Sequence, residues 1–114
     1  MNKKDYTRDS VQSYYTEKEV EVMDMKRNFT GESRGAFVKR ITRLFLLKRF
    51  KDKPNHNLQN ISSGYKRNIK ASSSYSPYEL KLIDALRMRT GEDRGTFVRR
   101  IVCLYLQDLL TIIE

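Results

Sequence analysis

Few residues in this chain could make or break a covalent bond. Cys103 is the only cysteine and His56 the only histidine. One cysteine cannot build a disulfide framework or a thiolate metal site within one chain. A histidine in a polar stretch, between Asn55 and Asn57, reads as a solvated loop residue rather than a ligand or a base. There is no carboxylate pair with a base, no nucleophile beside a histidine and no phosphate-cradling loop. These residues argue against an enzyme and against a bound metal or cofactor.

What the chain does carry is positive charge. It has 23 Lys and Arg against 14 Asp and Glu, a formal net charge of +9. The excess is 6 in residues 1–60 (14 basic, 8 acidic) and 3 in residues 61–114 (9 basic, 6 acidic). Such a surplus favours a polyanionic partner, nucleic acid first and anionic membrane second. No apolar run approaches the ~18 residues of a membrane span. The opening Met-Asn-Lys-Lys-Asp-Tyr-Thr-Arg carries no apolar signal region. The expectation is a cytoplasmic protein with no membrane partner.

The elements that must position this charge are written twice. Residues 30–41, Thr-Gly-Glu-Ser-Arg-Gly-Ala-Phe-Val-Lys-Arg-Ile, recur as residues 90–101, Thr-Gly-Glu-Asp-Arg-Gly-Thr-Phe-Val-Arg-Arg-Ile. At the same offset of 60, Ser13–Leu46 lies over Ser73–Leu106 without a gap, with 16 of 34 positions identical. This is an internal duplication. A unit of about 50 residues buries too little surface to be comfortable alone, so the copies should share one core.

Each copy reads as strand, helix, glycine turn, helix. Residues 10–15 alternate, with Val11, Ser13 and Tyr15 on one face and Ser10, Gln12 and Tyr14 on the other. Thr16 with Glu19 is a capping box, and the helix it opens runs to about Phe29, with Val20, Met23 and Met25 towards the core. Gly31 ends it. Ser33 caps a second helix whose Phe37, Val38, Ile41, Leu44, Phe45 and Leu47 recur at helical spacing. That helix fades through Lys48–Lys53, and Pro54 forbids its continuation. In the second copy, residues 68–75 form the strand, with Lys70, Ser72 and Ser74 facing out. Ser76, Pro77 and Glu79 start a helix that stops at Gly91. Asp93 caps the last helix, expected to reach Thr111–Glu114. The organisation is thus a basic arm (1–9), a first unit (10–50), a linker (51–67) and a second unit (68–114). One short strand cannot stand alone, so the two strands should pair antiparallel over the helices.

This order, with the glycine after the first helix and the Ser/Asp-Arg-Gly-x-Phe-Val-x-Arg opening of the second, resembles the ribbon-helix-helix DNA-binding superfamily. The likeness covers about residues 10–110. It implies a mainly α fold with a short antiparallel two-stranded ribbon, in which tandem ribbon-helix-helix repeats form a pseudo-dimer within one chain. Most members carry one unit per chain; the tandem arrangement is similar to that of relaxosome accessory proteins of conjugative plasmids. The partners implied are double-stranded DNA, read by sequence, and a relaxase or other relaxosome or coupling protein.

Carried over by position, the resemblance puts Ser10, Gln12, Tyr14, Lys70, Ser72 and Ser74 against base edges in the major groove. Neither outward face has the arginine that such ribbons usually use. The start of the second helix of each copy would grip phosphate through first-turn amides and the helix dipole. This involves Ser33, Arg34, Gly35 and Lys39 in one copy, and Arg94, Gly95 and Arg99 in the other. Arg40 and Arg100 continue the basic edge, and Ser33 and Asp93 also read as plain caps. Because the strands are unlike, an asymmetric or direct-repeat DNA site is expected. A transcriptional repressor is the neighbouring reading. A helical adaptor, binding protein through Leu109, Leu110, Ile112 and Ile113, is the reading from another class.

Overall fold

The computed structural model describes residues 9–52 and 66–113, so the arm before Asp9, His56 and most of the expected linker lie outside the described residues. The chain runs β1 (Asp9–Tyr15), α1 (Glu17–Arg27), α2 (Arg34–Leu46), β2 (Phe50–Asp52), β3 (Ile69–Tyr75), α3 (Pro77–Arg87), α4 (Arg94–Leu106) and β4 (Leu110–Ile112). Every boundary in the first four elements recurs 60 residues later in the second four. The architecture is mainly helical with short antiparallel sheets.

β1 pairs antiparallel with β3, Gln12 standing opposite Ser72 at the middle of the ladder. Alternation then sorts the side chains, as strand geometry requires. Val11, Ser13, Tyr15, Ala71, Ser73 and Tyr75 are buried, and Ile69 is half-buried. Beneath them lie Met23, Phe37, Ile41, Ile83, Phe97 and Ile101, all buried. The two serines in this apolar layer have a reason to be there. Ser13 Oγ and Tyr15 Oη are hydrogen-bonded at 2.9 Å, and the Ser73 hydroxyl donates to Tyr75 Oη at 2.8 Å. Burial pushes both phenols above their ordinary pKa, and the serines give the two phenolic oxygens the partners that buried polar atoms need.

Helix starts follow the caps. Thr16 accepts from the Glu19 amide at 3.1 Å while Glu19 accepts from the Thr16 amide at 2.8 Å. Ser76 and Glu79 repeat this at α3, with Pro77 in the first turn. Both glycines after these helices have positive φ, Gly31 at 74° and Gly91 at 77°, which only glycine adopts without strain.

The fold departs from the sequence expectation in three ways. α1 ends at Arg27 rather than near Phe29, and Met25 is 62% exposed, on the face opposite Met23. Leu47 is likewise exposed, because it is the C-cap of α2 and lies beyond the helix's buried stripe. Third, neither second helix runs on as expected. Lys48 (φ 56°) and Asp108 (φ 60°) turn the chain, and the residues that follow pair as β2 and β4, with Phe50 opposite Ile112. Phe50–Asp52, split between first unit and linker in the sequence reading, is therefore a strand, as is Leu110–Ile112, expected to be helix. Pairing satisfies backbone groups that a frayed helix end would leave to water. Ile113 N extends it, donating to Arg49 O at 2.7 Å.

The apolar C-terminal residues divide accordingly: Leu110 is 2% exposed and part of the core, whereas Ile113 is 46% exposed. Leu110→Ala should cost about 2–4 kcal/mol and Ile113→Ala within about 0.5 kcal/mol, measured by urea unfolding. Equal costs would mean that residues 110–112 do not form the buried strand described.

Candidate nucleic-acid interface

The outer face of the β1–β3 ribbon carries the side chains that its alternation expels. Ser10, Gln12, Tyr14, Lys70 and Ser72 are exposed and Ser74 is half-buried. The register sets Ser10 opposite Ser74, Gln12 opposite Ser72 and Tyr14 opposite Lys70. All six residues expected to face a base edge therefore share one surface. The small hydroxyl pair lies at one end and the bulky, cationic pair at the other.

The starts of α2 and α4 are held against this ribbon from beneath. α2 packs on β3 and α4 on β1, so each half's second helix meets the other half's strand. Gly35 and Gly95 permit the approach: a Cβ at Gly35 would collide with the Ser72 carbonyl oxygen, and one at Gly95 with that of Gln12. The missing side chain thus makes room for a strand, a constraint that the phosphate expectation did not contain. Ser33 accepts from the Ala36 amide at 3.1 Å and Asp93 from the Thr96 amide at 2.7 Å. Both caps are occupied as caps.

The arginines are organised by carboxylates. Arg34 donates to both oxygens of Asp24, at 3.0 and 2.8 Å, and Arg27 donates to the same carboxylate at 2.8 Å. Arg94, Asp84 and Arg87 repeat the cluster at 2.9, 2.8 and 2.7 Å. Two guanidiniums on one carboxylate leave each cluster a net charge of +1, held in fixed geometry beside the ribbon. Arg34 and Arg94, expected to seek phosphate, therefore already have a first partner and remain only partly exposed. Arg40 grips Glu32 through two hydrogen bonds and lies over the Phe37 ring; Arg100 does the same with Glu92 and Phe97. Lys39 and Arg99, one position earlier in each helix, are half-buried, and Arg99 forms no ion pair with a described residue.

Along β1 the ribbon edge and the start of α4 enclose an open groove of 690 Å³, lined by Gln12, Tyr14, Arg67, Arg94, Thr96 and Arg99 among others. Arg67 was not among the expected site residues. Its position follows from a mismatch between the copies. In α2, Arg43 bonds to Glu79, the capping-box carboxylate of α3. The residue 60 positions on is Cys103, which leaves Glu19 without that guanidinium. Arg67 supplies it instead, donating to Glu19 Oε2 at 2.9 Å, while the Cys103 thiol donates to the same oxygen at 3.3 Å. The Arg/Cys exchange opposite a shared glutamate was the legible signal. Burial pushes the Cys103 thiol up to about 12, so it stays protonated and is not a nucleophile.

Among the described residues no group of three or more His, Cys, Asp or Glu could hold a metal ion, and no helix is long and apolar enough to cross a membrane. Comparison with protein-family models, with curated proteins and with solved structures finds no match.

Two outcomes test this arrangement. Gly35→Ala should destabilise the fold by about 1–3 kcal/mol, since the added methyl must displace strand backbone; an unchanged melting temperature would refute the close approach. The acid limb tests the clusters. Arg34 first, and Arg27 after it, hold the Asp24 carboxyl at about 2 against 3.8 for the free group, and Asp84 is lowered in the same way by Arg94 and Arg87. A depressed carboxylate stabilises fully above its unfolded value, and the effect is lost as pH falls through the folded one. Wild-type stability should therefore drop between about pH 4 and pH 2, with a shallower drop in Asp24→Asn. Parallel urea-midpoint curves for the two proteins would show that Asp24 does not contribute.

Proposed function

We propose that this chain is a sequence-specific double-stranded DNA-binding protein of the ribbon-helix-helix kind, its two units acting as a pseudo-dimer. The observation that carries this is the β1–β3 ribbon. Six polar side chains, with no apolar aliphatic among them, project from its outer face, and a helix start with an adjoining cationic cluster supports it on each side. A two-stranded ribbon is of a size to enter the major groove, where Gln12 can address adenine and Lys70 guanine. Arg99, Lys39 and the two arginine clusters would lie towards the phosphates, which supply most of the affinity and no sequence information. Tyr14 and Lys70 at one end against Ser10 and Ser74 at the other favour a non-palindromic site.

The biological setting we propose is that of a relaxosome accessory factor at a plasmid origin of transfer. Its tandem arrangement is similar to that of TraY from F-like conjugative plasmids, and a relaxase or coupling protein would be its protein partner. Repression of a promoter is the neighbouring role. The adaptor reading loses support because Leu110, at the centre of its patch, is buried in the core.

Enrichment from sheared source DNA, followed by titration of the retained duplex, tests this. Affinity should fall linearly with salt on logarithmic axes. Arg99→Ala should weaken binding to all duplexes alike and reduce the salt slope by about 1, whereas Gln12→Ala with Lys70→Ala should change the ranking of duplexes. Recovery beside a nicking site would support the transfer-origin role, and recovery at a promoter alone the repressor. An unchanged ranking in the double variant would remove the ribbon from the interface.

A further inference from the structure

The duplication supplies an internal reference for what the outer surface beside α3 needs in order to fold. Tyr78, Lys81, Leu82, Ala85, Met88 and Arg89 fall on one stripe of α3 and the turn after it, three or four residues apart. Tyr78 and Met88 are 70% and 71% exposed. The end of α2 adjoins this stripe: Arg43 of α2 bonds to Glu79 of α3, and Leu47, one helical turn after Arg43, is 66% exposed. The other half has the same neighbourhood, for Lys18 and Glu21 of α1 line a groove with Leu106 and Gln107 at the end of α4. At the offset of 60 those four positions are Tyr78, Lys81, Leu46 and Leu47. Leu47, Tyr78 and Met88 thus stand in solvent where the other copy has Gln107, Lys18 and Asn28. The fold does not require apolar residues at these places, and a group of them on a surface marks a contact site.

The charge on this stripe has one sign. Lys81 and Arg89 are exposed and form no ion pair with a described residue. The acids of α3 and the following turn are engaged: Glu79 by Arg43, Asp84 by Arg87 and Arg94, Glu92 by Arg100, and Asp93 as the cap of α4. We propose that this face docks an acidic amphipathic segment of another protein, whose apolar side chains cover Leu47, Tyr78 and Met88 and whose carboxylates meet Lys81 and Arg89. Tyr, Met and Arg are residues that protein interfaces favour. A nucleic-acid backbone would meet the cations but has no apolar side chains to cover Leu47 and Met88. A membrane would have to bury Lys81, which lies between Tyr78 and Met88 instead of at a polar edge. The same face of a second copy would oppose like charges, and α1 offers mixed ones. The chain's own residues 53–65 hold no Asp or Glu, and residues 1–8 hold one, Asp5, against Lys3, Lys4 and Arg8. The contact takes in no residue of the outer ribbon face, and so does not depend on the proposed DNA binding.

Selection of a displayed library of random peptides on the immobilised full chain, then anisotropy titration of the enriched sequences as synthetic peptides, tests this. The enriched peptides should interleave Asp or Glu with Leu, Phe or Met. Tyr78→Ser with Met88→Ser should weaken the selected peptide about tenfold, and Lys81→Glu should do so by a similar factor. Because all three positions are exposed, circular dichroism should show the fold unchanged. Lys18→Glu alters the net charge by the same amount in the other half and should leave the affinity as it is. The Lys81→Glu chain should in turn prefer a peptide whose acids are replaced by lysine. No enrichment, enriched peptides without an acidic excess, an equal loss in Lys18→Glu, or an affinity that survives the paired serine substitutions would each overturn the proposal. Binding of phosphatidylserine vesicles through Tyr78 and Met88 would also overturn it, giving the face to a membrane.

Discussion

Everything in this molecule depends on β1 finding β3. Within the described residues neither strand pairs with any other, and each carries backbone groups that need a partner. Their pairing creates one face that seals the core through Tyr15 and Tyr75 and another that presents polar side chains outward. It also sets where the second helices lie, since α2 rests on the strand of the second half and α4 on that of the first. Gly35 and Gly95 make those approaches possible. Neither half could keep this arrangement by itself, because the support of each helix comes from the other half's strand.

The positive charge is correspondingly ordered. Much of it is fixed by carboxylates, two guanidiniums to one aspartate in each half, with a further arginine clamped to glutamate and seated on a phenylalanine ring. A flexible lysine loses rotamer freedom when it meets a ligand; a side chain already braced loses less. The arrangement therefore trades reach for geometry. A mobile fringe of cations would attract any polyanion, whereas braced ones favour a surface of matching spacing.

Much of this was legible from residue order, for identifiable reasons. The alternation in residues 10–15 and 68–75, the two capping boxes and the two glycine stops are local signals, and the structure agrees with them within a residue or two. The antiparallel pairing followed from the lack of any other strand partner, and parity alone sorted the six outward ribbon residues from the buried ones. What escaped was short or non-local. β2 and β4 are three residues each, too brief for alternation to register, and apolar Leu109–Ile113 suits a helix as well as a strand. Met25 was assigned inward beside Met23, although two residues along a helix is most of a half-turn. The carboxylate partners of Arg34 and Arg94 lie ten residues away, beyond what helical spacing reveals. Arg67 escaped because the Arg43/Cys103 exchange that points to it lies far from it in the sequence, and its own counterpart, Thr7, carries no charge.

The ribbon joins strands of a single polypeptide, and that alters its mass-action law. Were the halves separate chains, the population of paired ribbon would depend on protein concentration, and dilution would dissolve it. Joined, they meet at an effective concentration that does not change with dilution. The closed ribbon then persists at dilutions at which an unlinked pair would separate. Joining also releases the halves from identity. A dimer of equal chains changes both strands with every mutation, whereas here position 14 can be tyrosine while position 74 is serine, each free to drift on its own.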